Sequence, residues 1–233
     1  MLHDVCMQNL PVVFAIDRAG IVGSDGETHH GCFDLSYLNM MPNMTVMAPK
    51  NKWELSDMLK FAIRQNGPVA IRYPRGEAYE GLQEFRAPIV MGKSEEIYTG
   101  TQIALLAVGS MVKYAETVRD NLEKEGYSVT LVNTRFVKPL DTELLDKIAG
   151  SHKLLVTMEE NVKIGGFGEQ VREYLGEQNL DIPMEIVALK DHFIPHGSVS
   201  DLIKREKIDP ESVTTQILER MKSEEAITGE KDS

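Results

Sequence analysis

The chain has 233 residues, enough for one large or two modest domains that each bury a core. Its 25 basic and 36 acidic side chains leave a formal charge of −11, which excludes a broad basic footprint for nucleic acid or an anionic membrane but permits local phosphate binding by a few arginines. Two cysteines, Cys6 and Cys32, give neither a disulfide framework nor zinc spacing, and the longest apolar run, Ile103 to Val108, is too short to cross a bilayer, so the expectation is a cytoplasmic protein.

Met1 to Asn9 reads as the last turns of a helix, with Leu2, Val5 and Cys6 at helical spacing and no capping residue ahead of them. Val12 to Ile16 is a short apolar run bounded by turn signals, the pattern of a buried parallel strand. A glycine-punctuated loop follows, carrying Arg18, Asp25, His29 and His30, and Phe33 to Met40 reads as helix. Thr45 to Ala48 is a second strand. A helix then spans about Asn51 to Gln65, with Asn51 and Glu54 as a capping box and Leu55, Met58, Leu59 and Ala62 as its apolar face. Pro68 to Tyr73 is a third strand, delivering Arg72 and Arg75 at its carboxyl end. Gly76 to Met91 mixes glycine, proline and charge without a period and reads as a surface linker.

Beyond the linker the alternation is plainer. Gln102 to Val108 is a strand, and Ser110 is placed to cap a helix reaching Glu125, with Val112, Ala115, Val118 and Leu122 as its buried stripe. Strands at Ser128 to Val132, Lys153 to Thr157 and Met184 to Leu189 alternate with helices at Asp141 to Ala149 and Glu169 to Gly176. Asp209 with Pro210 starts a further helix, since proline at the first helical position loses no hydrogen bond. From about Ala226 the chain is polar. The whole is an α/β protein with parallel sheets covered by helices. Its expected divisions are a first domain over 1–76, a linker over 77–91, a second domain over 92–225 and a polar tail over 226–233.

Several motifs carry little chemistry. The run GGFG at Gly165 to Gly168 does not match a dinucleotide or phosphate loop, and it reads as a tight turn opening a helix. Glu159 and Glu160, at the end of the preceding strand, read as solvated or interfacial. Adjacent His29 and His30 with Asp25 lack the spacing of a metal site, so no metal is assigned. His192 and His196 flank a proline turn and read as structural or interfacial. Arg18, Asp25, His29 and Arg75 remain. Arginine forks pair with phosphate oxygens, aspartate accepts from sugar-like hydroxyls, and histidine exchanges a proton near neutral pH.

The tetrad DRAG at Asp17 to Gly20, GSDGETHHGCFDLSYL at Gly23 to Leu38 and RYPRG at Arg72 to Gly76 carry a resemblance. Together they resemble the 1-deoxy-D-xylulose-5-phosphate synthase family of transketolase-like thiamine-diphosphate enzymes, over nearly the whole chain. The resemblance implies the end of a pyrimidine-binding domain followed by a transketolase C-terminal domain, which the EEN and GGFG segments resemble and whose main job is assembly rather than chemistry. It implies condensation of pyruvate with D-glyceraldehyde 3-phosphate and loss of carbon dioxide. Arg18 and Arg75 would hold the phosphate, with Arg72 a weaker candidate; Asp25 would meet the acceptor hydroxyls, and His29 would lie by the reacting carbon. Thiamine diphosphate and magnesium are the implied cofactors, yet the magnesium signature and the activating glutamate are not found in the sequence. The resemblance thus implies an incomplete catalytic unit, a homodimer or the partner of a chain carrying the rest. A 2-oxo-acid dehydrogenase β-subunit is the rival enzyme reading, disfavoured by Arg18 and Arg75, and a non-catalytic assembly partner is the other. His30, where many relatives have glutamine, has no role that the sequence defines.

Overall fold

The computed structural model describes residues 1–231. Two sheets organise them. The first combines β1 (Val13–Ile16), β2 (Thr45–Met47), β3 (Val69–Arg72) and β7 (Phe136–Lys138) in the order β1-β3-β2-β7. Between its strands lie α1 (Asp34–Asn39) and α2 (Lys52–Ala62). β1 and β2 both pair in parallel with β3, so β1 is an edge strand.

The second sheet has the order β4-β6-β5-β8-β9, built from β4 (Glu95–Tyr98), β5 (Ile103–Val108), β6 (Val129–Thr134), β8 (Leu154–Val162) and β9 (Met184–Leu189). Its helices are α3 (Met111–Lys124), α4 (Thr142–Ala149), α5 (Phe167–Glu177), α6 (Val199–Arg205) and α7 (Pro210–Lys231). β5, β6, β8 and β9 are parallel, as the β–α alternation requires.

Alternation along β5 divides the core. Ile103, Leu105 and Ala107 pack with α3, α6 and α7, whereas Ala104, Leu106 and Val108 face Leu35, Leu38, Val46 and Ala70 of the first half. A third cluster joins Met47, Val69 and Ile71 to Met58 and Ala62 of α2. The two halves therefore share one apolar layer.

The structure departs from the sequence reading in several places. β4 and β7 are additional strands, and both are antiparallel to their partners, so the sheets are mixed. α6 is an additional helix, and Leu2–Cys6 is a single π-helical turn. Leu59 is exposed on α2, and Glu54 is buried in its place. Asn51 caps α2 as expected, but the Glu54 carboxylate accepts from the Lys50 N–H, one residue before the cap. Ser110 does not cap α3 with its side chain. α7 runs on through 226–231, most of the expected polar tail, and 232–233 lie outside the described residues.

Candidate active site

The loop between β1 and α1 leaves the carboxyl edge of the first sheet, where open α/β sheets present their ligand-binding groups. Arg18 opens it in the left-handed region at φ +60. The Ala19 N–H donates to the Tyr73 carbonyl (3.0 Å), and Gly20 and Gly31 exchange backbone hydrogen bonds of 2.9 and 2.8 Å that close the loop on itself. Gly31 must be glycine, because a Cβ there would lie 2.1 Å from the Arg18 carbonyl oxygen.

Arg75, beyond β3, ion-pairs with Asp25 through Nη1, and Arg18 Nε lies 3.8 Å from the same carboxylate oxygen. Two guanidinium groups from separate elements thus converge on one oxyanion. Arg18 Nε makes no hydrogen bond of its own, and Arg18 Nη1 donates to Asp17 at 2.5 Å. The hydrogen bond from Arg75, with its positive charge and that of Arg18, holds the Asp25 carboxyl below the usual range despite some desolvation. His29 is exposed on this loop, its Nδ1 2.9 Å from Thr28 Oγ1, which leaves Nε2 to face outward.

The other residues singled out in the sequence are supports. Arg72 is buried and donates to Asp34 (3.2 Å) and to the Gly31 and Glu160 carbonyls (2.6 and 2.8 Å). Its fork is closed inside the protein, so it braces the loop where it returns to α1. His30, adjacent to the exposed His29, points inward. Its Nδ1 accepts from the Val22 N–H at 3.0 Å, so Nε2 carries the proton and donates to the Pro195 carbonyl at 3.3 Å. The geometry sets the tautomer and ties the loop to the turn before α6. His196 lies on that turn, near Gly26, and His192 pairs with buried Glu206 at 3.1 Å.

Glu159 and Glu160 are buried, because β8 continues through them to Val162. Glu159 accepts from the Phe167 and Gly168 N–H groups (2.9 and 2.8 Å), which caps the first turn of α5. Glu160 accepts from the Ile21 N–H (2.6 Å) and the Ser110 hydroxyl (2.9 Å). The sequence signal for both was a pair of acids followed by Asn161 after a mostly apolar run, which reads as the end of the strand when taken alone.

Known proteins share both halves of this chain. The transketolase pyrimidine-binding domain matches residues 1–80, and the transketolase C-terminal domain matches residues 92–213. A 1-deoxy-D-xylulose-5-phosphate synthase of Lachnoclostridium phytofermentans is 51% identical over 93% of this chain and 35% of its own length. One from Clostridium tetani is 47% identical over 95% of this chain and 36% of its own. The chain thus spans about a third of the length of the curated relatives it matches. Among solved structures, a split-gene transketolase described as an inactive β4 tetramer aligns at a TM-score of 0.86 with 28% identity, covering 94% of this chain and 69% of that one. A Campylobacter jejuni transketolase aligns at 0.71 with 19% identity over 89% of this chain and 31% of its own, which supports the fold alone. With a C-terminal domain match spanning more than half its residues, the chain belongs to the transketolase family.

Proposed function

We propose that this chain is the acceptor-gripping portion of a 1-deoxy-D-xylulose-5-phosphate synthase, which joins pyruvate to D-glyceraldehyde 3-phosphate with loss of carbon dioxide. The observation that carries this reading is the convergence of Arg18 and Arg75 on one oxygen of Asp25. On this reading a phosphate oxygen of the acceptor takes the place of that carboxylate oxygen. When phosphate enters, it takes both guanidinium forks, including the unpaired Arg18 Nε, and Asp25 is released toward the acceptor hydroxyls. His29, held at Nδ1 by Thr28, presents Nε2 for a proton at the reacting carbonyl. Arg72, the weaker phosphate candidate in the sequence, is assigned instead to holding the loop.

Thiamine diphosphate is the cofactor of this reading, and it supplies the carbanion chemistry when bound. Its pyrophosphate needs a magnesium site. Among the described residues, no group of three or more His, Cys, Asp or Glu could hold a metal ion. The buried acids nearest the loop, Glu159 and Glu160, are occupied by backbone N–H groups and Ser110. On this reading a second chain or a further segment contributes to the cradle for the cofactor. The split-gene transketolase to which this chain is similar is described as inactive as a β4 tetramer.

A chimera tests the reading: this chain joined to the N-terminal part of the Lachnoclostridium phytofermentans relative. It should consume pyruvate only when glyceraldehyde 3-phosphate is supplied. Arg75→Ala should raise the KM for the aldehyde about ten- to a hundredfold, as expected for losing a charge-assisted hydrogen bond, with little change for pyruvate. Loss of pyruvate affinity with aldehyde affinity intact would refute the phosphate assignment.

A further inference from the structure

Open α/β sheets bind ligands in the crevice where the strand order reverses, beyond the strand carboxyl ends. In the second sheet this point falls between β5 and β8. The chain leaves β5 through α3 to reach β6 on one side, and β8 and β9 lie on the other. The crevice is taken up by the Arg18–Gly31 loop of the first half. Glu160 at the end of β8 accepts the Ile21 N–H through Oε1, and Ser110 just past β5 donates to its Oε2. A Cβ on Gly20, whose φ is +76, would lie 2.1 Å from Glu160 Cδ. On the far side of the loop, the Val162 N–H donates to the Cys32 carbonyl at 2.7 Å.

We propose that Glu160 is a positioning residue for the anion clamp: seated in the switch-point crevice, it fixes the backbone at Gly20 and Ile21 and so holds Arg18 and Asp25 opposite Arg75. The C-terminal half then sets acceptor-site geometry. The proposal rests on the phosphate reading above. Its physical basis is the conformation of Arg18, which a non-glycine residue keeps only when its surroundings hold it there. The Tyr73 carbonyl holds Ala19 on one side, and Glu160 holds Ile21 on the other. An unpaired Ile21 N–H would be buried without a partner, and the loop would open to hydrate it.

The chemistry supplies a rescue. In Glu160→Gln the amide oxygen can still accept from Ile21 while the amide nitrogen donates to Ser110 Oγ. Glu160→Ala can do neither. Amide exchange on the full chain should be about tenfold faster over residues 19–31 in Glu160→Ala, with β5 unchanged, and close to native in Glu160→Gln. Loop exchange in Glu160→Ala equal to native overturns the proposal, as does a Gln variant as loose as Ala. If Glu160→Ala does not fold, Ser110→Ala decides, since it removes one donor to Glu160 and leaves the backbone partner. Its loop amides should exchange about threefold faster, and native rates there would overturn the proposal. Titration with inorganic phosphate keeps the two readings apart. Affinity should fall about tenfold in Glu160→Ala and be retained in Glu160→Gln. Phosphate binding that is absent from the native chain, or indifferent to Arg75→Ala, removes the phosphate reading, and the exchange rates still decide the positioning.

Discussion

Glu159 is fully enclosed, and both its oxygens face backbone N–H groups at the start of α5. Burial outweighs those donors and pushes its carboxyl up to about 7 from an ordinary 4.5. The native state therefore holds this proton more tightly than the unfolded chain. Its contribution to stability is complete below about 4.5 and is lost as pH rises through about 7. At about 1.4 kcal/mol per pH unit, the interval is worth about 3 kcal/mol. Burial raises Glu160 as well, so Glu159→Gln should remove part of this slope and leave the rest. Urea denaturation across pH 4.5 to 7.5 reads it, and an undiminished slope in the variant would mean that Glu159 is charged throughout. His29 and His30 divide in another way. In the chimera, His29→Ala should lower kcat and leave the fold intact, because the side chain is exposed. His30→Ala should instead cost about 1–3 kcal/mol of stability, because the Val22 N–H loses its acceptor. Nothing in a pair of adjacent histidines distinguishes them: their division depends on which way the loop backbone turns.

Elements with a strong period were legible in the sequence; elements defined by a distant partner were not. α3 follows its apolar stripe, with Val112, Ala115, Val118 and Leu122 all buried. β5 reads as strand because every residue is apolar. β4, in contrast, begins Glu95-Glu96, and the buried Glu95 is acceptable there only because Lys50 and Arg135 reach it. β7 is three residues long and exists because β2 offers it an edge. The cluster of Arg18, Asp25 and Arg75 was visible as charges at strand ends, whereas its supports lay more than a hundred residues away in Glu160 and Pro195. Edge position also makes a kinetic prediction. β1 pairs only with β3, and its residues are half-exposed, whereas β5 is paired on both sides and wholly buried. Native-state exchange should be faster in Val13–Ile16 than in Ile103–Val108 by an order of magnitude or more. Equal protection would show that β1 is covered in solution by another chain.

The two halves are joined by more than an apolar layer. Lys50 Nζ lies 3.1 Å from Glu54 and 2.6 Å from Glu95, and Arg135 reaches the same two carboxylates at 2.7 Å each. Asn133 donates to Glu54 at 2.9 Å. Lys50 and Glu54 belong to the first half, and Glu95, Asn133 and Arg135 to the second, so two cations and two anions close a buried ring across the junction. Burial alone would raise Glu95, but hydrogen bonds from Lys50 and the Ala87 N–H, together with the Arg135 charge, hold its carboxyl below the usual range. The unfolded chain then binds this proton more readily, so the contribution of Glu95 is present above about 4.5 and is lost as pH falls through its lowered native value. Removing one member leaves an uncompensated buried charge, which costs about 3–5 kcal/mol. Glu54→Ala strands Lys50 and Arg135 together against Glu95 alone, so its melting temperature should fall by about 10 °C or more for a chain of this size. Because the ring spans both halves, native calorimetry should show one transition. Adding Lys50→Met to Glu54→Ala removes the excess cation and should recover part of the loss, a coupling that a double-mutant cycle measures directly. Additive effects, or a loss under about 1 kcal/mol for Glu54→Ala, would mean that water enters the junction and that the apolar layer alone holds the halves together.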